Sequence, residues 1–191
     1  MRILKTLSLA SFTLAMMVVC VSSALATTVR TGGGNTTPIF HFVNENGHTT
    51  LANPIANISC SGTLEGSIES HGTGVTAAGK FGSFSLTSCT NSWHVTSSGI
   101  TPGDFEVHWT SGFNGLLTVS GVEFATTRLG VLCEYRTAET QVGTITGGFN
   151  PTIDIAATIP INPVTSSPLC GTGSAKWEGT YVGTSSLYIE K

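Results

Sequence analysis

The sequence has few charged residues and no helical repeat of them. Lys, Arg, Asp and Glu make up 10% of the 191 residues, against about 25% in an average soluble domain. No stretch shows Lys and Glu recurring at helical spacing, whereas Gly, Ser and Thr are abundant. This composition disfavours helices and favours many short strands joined by tight turns.

Positive charge is especially scarce. The chain has 8 Lys and Arg residues against 11 Asp and Glu residues. Loss of Arg2 and Lys5 with the leader predicted below would leave 6 basic and 11 acidic residues, a net charge of −5. Because nucleic-acid binding needs a basic patch, we do not expect a nucleic-acid partner.

Familiar catalytic motifs are also missing. The sequence contains no Gly-x-Ser-x-Gly elbow, His-Glu-x-x-His metal motif, phosphate-binding loop or dinucleotide fingerprint. The five histidines have no ligand-like spacing, and no free thiol remains if the mature cysteines pair. We therefore expect a non-enzymatic protein without a cofactor.

Residues 1–26 have the pattern of a secretory signal peptide. Arg2 and Lys5 supply the positive start, residues 7–21 the apolar run, and Ala24-Leu25-Ala26 the cleavage site. The apolar run at residues 7–21 is short for a membrane span, which favours a cleaved leader over a membrane anchor. The predicted mature chain begins at Thr27, and we expect no transmembrane segment in it. We expect a secreted, extracellular or surface-associated protein, with the periplasm as an alternative.

Four cysteines remain after the leader: Cys60, Cys89, Cys133 and Cys170. An even number in an exported chain implies two disulfides, and three connectivities are possible. We favour Cys60–Cys89 and Cys133–Cys170, since each pair brackets one strand-rich half. The spacings are not the close pairs of a zinc site.

The predicted domain organisation is simple. Residues 27–56 are polar and turn-rich, and we expect a partly mobile leader with an edge strand at Ile39–Val43. Residues 57–191 carry short alternating runs separated by turn signals. They predict one antiparallel β-sandwich or barrel-like domain, stapled by the two disulfides.

Residues 105–124 predict a central hairpin with Asn114-Gly115 as its turn, because that pair suits a type I′ turn. In this register Val107 lies opposite Val122, and Phe105 lies opposite Phe124. Both pairs would face the core, which firmly specifies a register.

The same register places Glu106 opposite Glu123, with His108 nearby. Like charges facing each other destabilise a sheet. One interpretation is a Ca²⁺ site or an acid/base carboxylate pair formed by these three residues. We favour the other, a solvated surface with no metal.

The aromatic residues fall in strand-like patterns and are expected in the core. The alternative is an exposed aromatic platform for sugars or hydrophobic ligands. The residues concerned are Trp93, Trp109, Trp177, Tyr135, Tyr181 and Tyr188.

Several short runs are spread across the mature chain, among them Ile58-Ser59-Cys60, Leu132-Cys133-Glu134-Tyr135, Leu169-Cys170-Gly171 and Trp177-Glu178-Gly179-Thr180-Tyr181. In these runs the chain resembles a group of short secreted bacterial proteins that includes protein activators of alkane oxidation and their matrix-associated relatives. The resemblance implies export, disulfides, a β fold and a role at or beyond the cell surface, and it carries over no catalytic residue.

Three functions remain open at this point. The leading hypothesis is a surface-associated β domain for adhesion, matrix or contact with apolar material, which exposed apolar side chains without a cavity would favour. The second is a secreted ligand-binding module, which needs a concave pocket. The third is a hydrolase using Glu106, Glu123 or His108, which needs a cleft joining carboxylates to a histidine.

Overall fold

The computed structural model describes residues 26–36, 38–44, 49–69, 75–96 and 103–191, so the predicted signal peptide lies outside it up to residue 25. These ranges form β-strands and two short 3₁₀ turns, with no α-helix. No helix among them has the length and apolar character needed to cross a membrane. The strands are β1 (Thr28–Thr31), β2 (Ile39–Val43), β3 (Thr49–Asn53), β4 (Ala56–Ile68), β5 (Thr76–Thr87), β6 (His94–Thr96), β7 (Asp104–Ser111), β8 (Asn114–Ser120), β9 (Glu123–Arg128), β10 (Val131–Arg136), β11 (Thr140–Thr146), β12 (Thr152–Pro160), β13 (Ser174–Gly183) and β14 (Leu187–Glu190). The prediction of an all-β fold is confirmed.

Eight strand positions form a closed, barrel-like antiparallel sheet. Strands β4, β5, β7, β8, β11, β12 and β13 follow one another around it. The eighth position lies between β13 and β4 and is shared by β2 and β3. Ten of the fourteen described strands pair with a strand next to them in sequence, as short turns favour.

A smaller three-stranded sheet, in the order β10–β9–β6, lies beside the barrel-like sheet. Strand β4 has 13 residues and β5 has 12, whereas β7 has 8 and β8 has 7. Strand β7 pairs only with residues 76–80 of β5, so the rest of β5 extends past it. There β6 packs near β5, and β10 reaches the end of β12 through a Tyr135–Ile161 bridge.

The core follows from strict alternation along the strands. In β12, Ile153, Ile155, Ala157 and Ile159 are buried while the residues between them are exposed. Such alternation is expected when one face of a strand meets the core. Two aromatic clusters fill the interior, with ring centroids 4.9–6.5 Å apart. Their members are Phe40, Phe42, Phe81 and Phe105 in one, and Phe84, Phe124, Tyr135 and Trp177 in the other.

Both favoured disulfides are confirmed. Cys60 on β4 bonds Cys89 just after β5, and Cys133 on β10 bonds Cys170 in the β12–β13 connection. The bonded residues are 29 and 37 positions apart in sequence. Loops of that size predict about 3–4 kcal/mol of stabilisation from each bridge, through restriction of the unfolded chain.

The predicted register of the central hairpin is wrong. Its turn is Gly112-Phe113, and Phe105 pairs with Val119 rather than with Phe124. Strand β8 ends at Ser120, and Gly121 with φ +70° redirects the chain into the smaller sheet. Because that φ lies in the left-handed region, a glycine is favoured at this bend.

Residues 27–56 are part of the domain, which corrects the expected leader. Strand β2 has the predicted bounds, but it pairs with β4 on one side and with β13 on the other, so it is not an edge strand. Strand β1 pairs with β14 as a separate two-stranded ribbon. Val29 and Ile189 of this ribbon are buried against the core, which explains its docking.

Candidate functional site

The site predicted from Glu106, His108 and Glu123 does not assemble. Glu106 lies opposite Thr118 on β8, whereas Glu123 starts β9 in the other sheet and forms an ion pair with Arg136 at 3.0 Å. The facing of Glu106 and Glu123 was therefore wrong, because it depended on the incorrect register. Across the described ranges, no group of three or more His, Cys, Asp or Glu residues is placed to hold a metal ion.

The barrel interior is filled by its own side chains. The internal cavity beside the Phe40 cluster measures about 10 Å³ and is lined entirely by apolar residues, among them Val29, Phe105 and Leu187. Ligand sites usually measure about 300–1,000 Å³. The cavity beside the Phe40 cluster is therefore too small to enclose a ligand.

One buried hydroxyl is held by neighbouring polar groups. Thr49 Oγ1 donates to the Tyr181 hydroxyl at 2.7 Å, and Trp177 Nε1 donates to the same oxygen at 3.3 Å. Burial raises the pKa of Tyr181 to about 12. The group therefore stays neutral at physiological pH and serves the core as a hydrogen-bond partner.

A second buried hydroxyl is not satisfied in this way. Tyr135 lies near Asn53 and Thr126, yet its hydroxyl, Asn53 Nδ2 and Thr126 Oγ1 all lack a hydrogen bond of good geometry. Burial raises the pKa of Tyr135. Tyr135 is stacked on Phe124, so packing rather than hydrogen bonding holds it.

Apolar side chains that do reach solvent lie at the two ends of the barrel. We name these the Phe149 end and the Leu129 end, after side chains that are 81% and 93% exposed. Every exposed large apolar residue of the described ranges belongs to one of them. The Phe149 end carries Ile39, Val75, Phe113 and Phe149, and the Leu129 end carries Ile55, Leu129, Val164 and Leu169.

The Phe149 end is also aromatic. Phe113 packs edge-on against Tyr188 with 5.1 Å between ring centroids, and the Arg30 guanidinium lies 5.0 Å from the Tyr188 ring. Gly147 N–H donates to the Phe113 carbonyl at 2.8 Å, which brings the β11–β12 turn carrying Phe149 beside the β7–β8 turn. These contacts hold the aromatic side chains together at one end.

Two grooves lie on the outer wall. One measures about 380 Å³ and gathers four carboxylates, two from β7 and two from loops: Asp104 and Glu106, and Glu69 and Glu139. Lys80 lies 3.7 Å from Glu69 and partly balances this charge. The alternation of β7 places Asp104 and Glu106 on one face, but no local signal brings Glu69 and Glu139 to them.

The second groove measures about 560 Å³ and is built around Trp109. Trp109 continues the alternation of Phe105 and Val107 but is only half-buried, and a β-bulge follows it between Trp109 and Ser111. The expectation of a core role is therefore only partly met. The Ser111-Gly112 pair that follows was the available sequence signal for such an irregularity.

One further polar group bears on the hydrolase hypothesis. The Glu65 carboxylate accepts a hydrogen bond from Ser83 at 3.0 Å and contacts His41 Nδ1 at 2.6 Å. The hydrogen bonds from Ser83 and His41 lower the pKa of Glu65. The carboxylate thus lies between Ser83 and His41 on the exposed surface, and the hydrogen bond from Ser83 runs to Glu65 rather than to a histidine.

Comparison with known proteins adds no relative. The chain matches no family model, no curated protein and no solved structure. Functional inference therefore depends on the geometry of the barrel, its ends and its grooves.

Proposed function

We propose that this protein is an exported, non-enzymatic β domain that attaches to apolar or amphipathic material at or beyond the cell surface. The observation that carries the proposal is the filled interior combined with exposed apolar side chains at both barrel ends. A small cavity argues against an enclosed ligand, whereas grouped exposed apolar residues are typical of contact surfaces. The two disulfides are compatible with an oxidising location outside the cytoplasm.

Grouping matters for the energetics of attachment. Full burial of one large apolar side chain contributes about 1.5–3 kcal/mol, while association itself costs at least about 4 kcal/mol. A single exposed residue would therefore not hold the protein on a surface. Four exposed apolar residues at each end make attachment through one end feasible.

Adsorption to octyl-agarose and to plain agarose in parallel tests this proposal. We expect retention on the octyl matrix only, reduced strongly by Phe113→Ser with Phe149→Ser, or by Leu129→Ser with Val164→Ser. The matched control is Thr144→Ser with Thr158→Ser, which changes exposed residues of the barrel wall. Equal retention of the wild type on both matrices, or unchanged retention of both end variants, would refute the proposal.

Export is tested on protein recovered from outside the producing cells. We expect an intact mass that starts at Thr27 and is four hydrogens lighter than the reduced chain. Recovery only from the cytoplasm with reduced cysteines would contradict the proposed location.

A further inference from the structure

The Trp109 groove has a charge pattern unlike that of its neighbour. Among the residues that the structure describes, its lining contains Lys191 and His108 but no Asp or Glu, whereas the adjacent groove on β7 and β8 gathers four carboxylates. Its apolar part is formed by Val75, Trp109 and Leu116. The groove therefore combines an aromatic surface with a cation, and this combination suits an anion that also has an apolar face.

We propose that this groove binds a uronic-acid residue of an acidic polysaccharide. The C–H face of the sugar ring would pack on the Trp109 indole, and its carboxylate would pair with the Lys191 ammonium. His108 and Thr110 lie along the same lining and offer polar atoms to the ring hydroxyls. This site goes beyond the proposed attachment through the barrel ends and does not depend on it.

Hydrogen bonds within the protein fix the position of Trp109 without a ligand. Its indole Nε1 donates to the Gly112 carbonyl at 2.9 Å, and its backbone N–H donates to Thr27 Oγ1 at 3.1 Å. Thr27 Oγ1 in turn donates to the Val75 carbonyl at 2.5 Å, which ties the start of the described chain to the same groove. A preorganised platform binds with less loss of conformational entropy.

The cation is also in place and is not neutralised by the neighbouring carboxylate. Lys191 Nζ lies 5.4 Å from the Trp109 ring centroid. The preceding residue, Glu190, directs its carboxylate to Arg30, with contacts of 2.6 and 2.9 Å. The Lys191 ammonium lies over the Trp109 ring, so a sugar ring that packs on the indole would displace the ammonium, which could then pair with the sugar carboxylate.

The size of the groove fits this ligand class. About 560 Å³ falls within the usual range for small-molecule sites and accommodates one or two sugar rings. An exposed groove on the wall also leaves a longer polysaccharide free to continue in both directions, which an enclosed cavity would not allow.

The test is calorimetry of the processed protein with three probes: trigalacturonate, the neutral galactose trimer, and octanoate. We expect trigalacturonate to bind, the neutral trimer to bind more weakly, and added salt to reduce the difference. We expect Trp109→Ala to weaken trigalacturonate binding by about tenfold or more, which is about 1.4 kcal/mol. Lys191→Gln, a change at an exposed residue, should weaken binding of trigalacturonate but not of the neutral trimer.

Thr158→Ala, on the exposed face of β12, is the control and should leave binding unchanged, because Thr158 lies outside the groove. Trp109→Phe keeps an aromatic face and should retain part of the affinity, which separates loss of the platform from loss of folding. Equal binding of charged and neutral trimers, or full binding by Trp109→Ala, would overturn the proposal. So would preferential binding of octanoate, which would assign the groove to an anionic amphiphile. Because the Trp109 and Lys191 variants leave the exposed apolar residues of the barrel ends unchanged, failure here is distinguishable from failure of octyl adsorption.

Discussion

Thr49 donates a hydrogen bond to the Tyr181 hydroxyl at 2.7 Å, which joins β3 to β13 inside the barrel. Tyr181→Phe would leave the Thr49 hydroxyl and the Trp177 indole N–H without this acceptor. We expect a loss of about 1–3 kcal/mol in the free energy of unfolding, because unsatisfied buried polar groups are costly. Urea denaturation measures the effect.

Tyr135→Phe is the matched control for that experiment. The Tyr135 hydroxyl is buried without a well-formed hydrogen bond, so its removal relieves a desolvated polar group. We expect a smaller loss than for Tyr181→Phe, or a gain. A larger loss for Tyr135→Phe would show that its contacts with Asn53 and Thr126 are stronger than the geometry indicates.

Acid should weaken the contact between the first and last strands. The hydrogen bond from Arg30 lowers the pKa of Glu190 below its ordinary value of 4.5. The stabilising contribution is therefore complete above pH 4.5 and is lost as the pH falls through the lowered pKa. The effect on global stability should be small, since both side chains are partly exposed.

Amide exchange at Val29 and Ile189 measures this pH dependence. Both amides should exchange faster, relative to unstructured amides at the same pH, as Glu190 is protonated. In Glu190→Gln this acid-dependent change should be absent, whereas Glu178→Gln, on the exposed face of β13, should behave as the wild type. The same acid response in wild type and Glu190→Gln would refute the assignment.

The observed hairpin register makes Gly115 more critical than a turn glycine would be. A Cβ at Gly115 would lie 2.8 Å from Val107 Cγ1 and 3.0 Å from the His108 carbonyl. We expect Gly115→Ala to cost about 1–3 kcal/mol through overpacking. At Gly112, φ is +55° with open space around the new methyl, so Gly112→Ala should cost about 1 kcal/mol from backbone strain alone. Thermal unfolding of both variants checks the order.

Leu129 combines two unfavourable features at the β9–β10 turn. Its φ is +49° and its side chain is 93% exposed. Asn tolerates this conformation better, so Leu129→Asn should raise the free energy of unfolding by about 0.5–1 kcal/mol. The same variant should adsorb less to octyl-agarose. Increased stability with unchanged adsorption would mean that Leu129 plays no part in attachment.

The strand pattern and the cysteine pairing were predictable from the sequence, because both follow from local or pairwise signals. Alternation along β12 identified its buried face, and each disulfide joins cysteines within one half of the chain. The hairpin register was mispredicted because Asn114-Gly115 suits a type I′ turn. In the structure Gly115 lies within the hairpin opposite Trp109, where a side chain would collide with neighbouring atoms.

The grooves could not be predicted, since they are assembled from positions far apart in the sequence. Lys191 reaches Trp109 only because β14 pairs with β1 beside the start of β5. The carboxylates of the other groove come together only when β5, β7 and β8 adopt their observed register. Without a correct register, neither grouping is visible in a single sequence.

Closure of the sheet also removes the exposed strand edges through which chains could associate during folding. Consecutive strands can pair as they emerge, but the ring closes only when β13 lies against β12, β2 and β3. Until then β12 and the β2/β3 position each present an unpaired edge, which is a template for joining other chains. Pairing of β13 is thus the step that ends the aggregation-prone stage of folding.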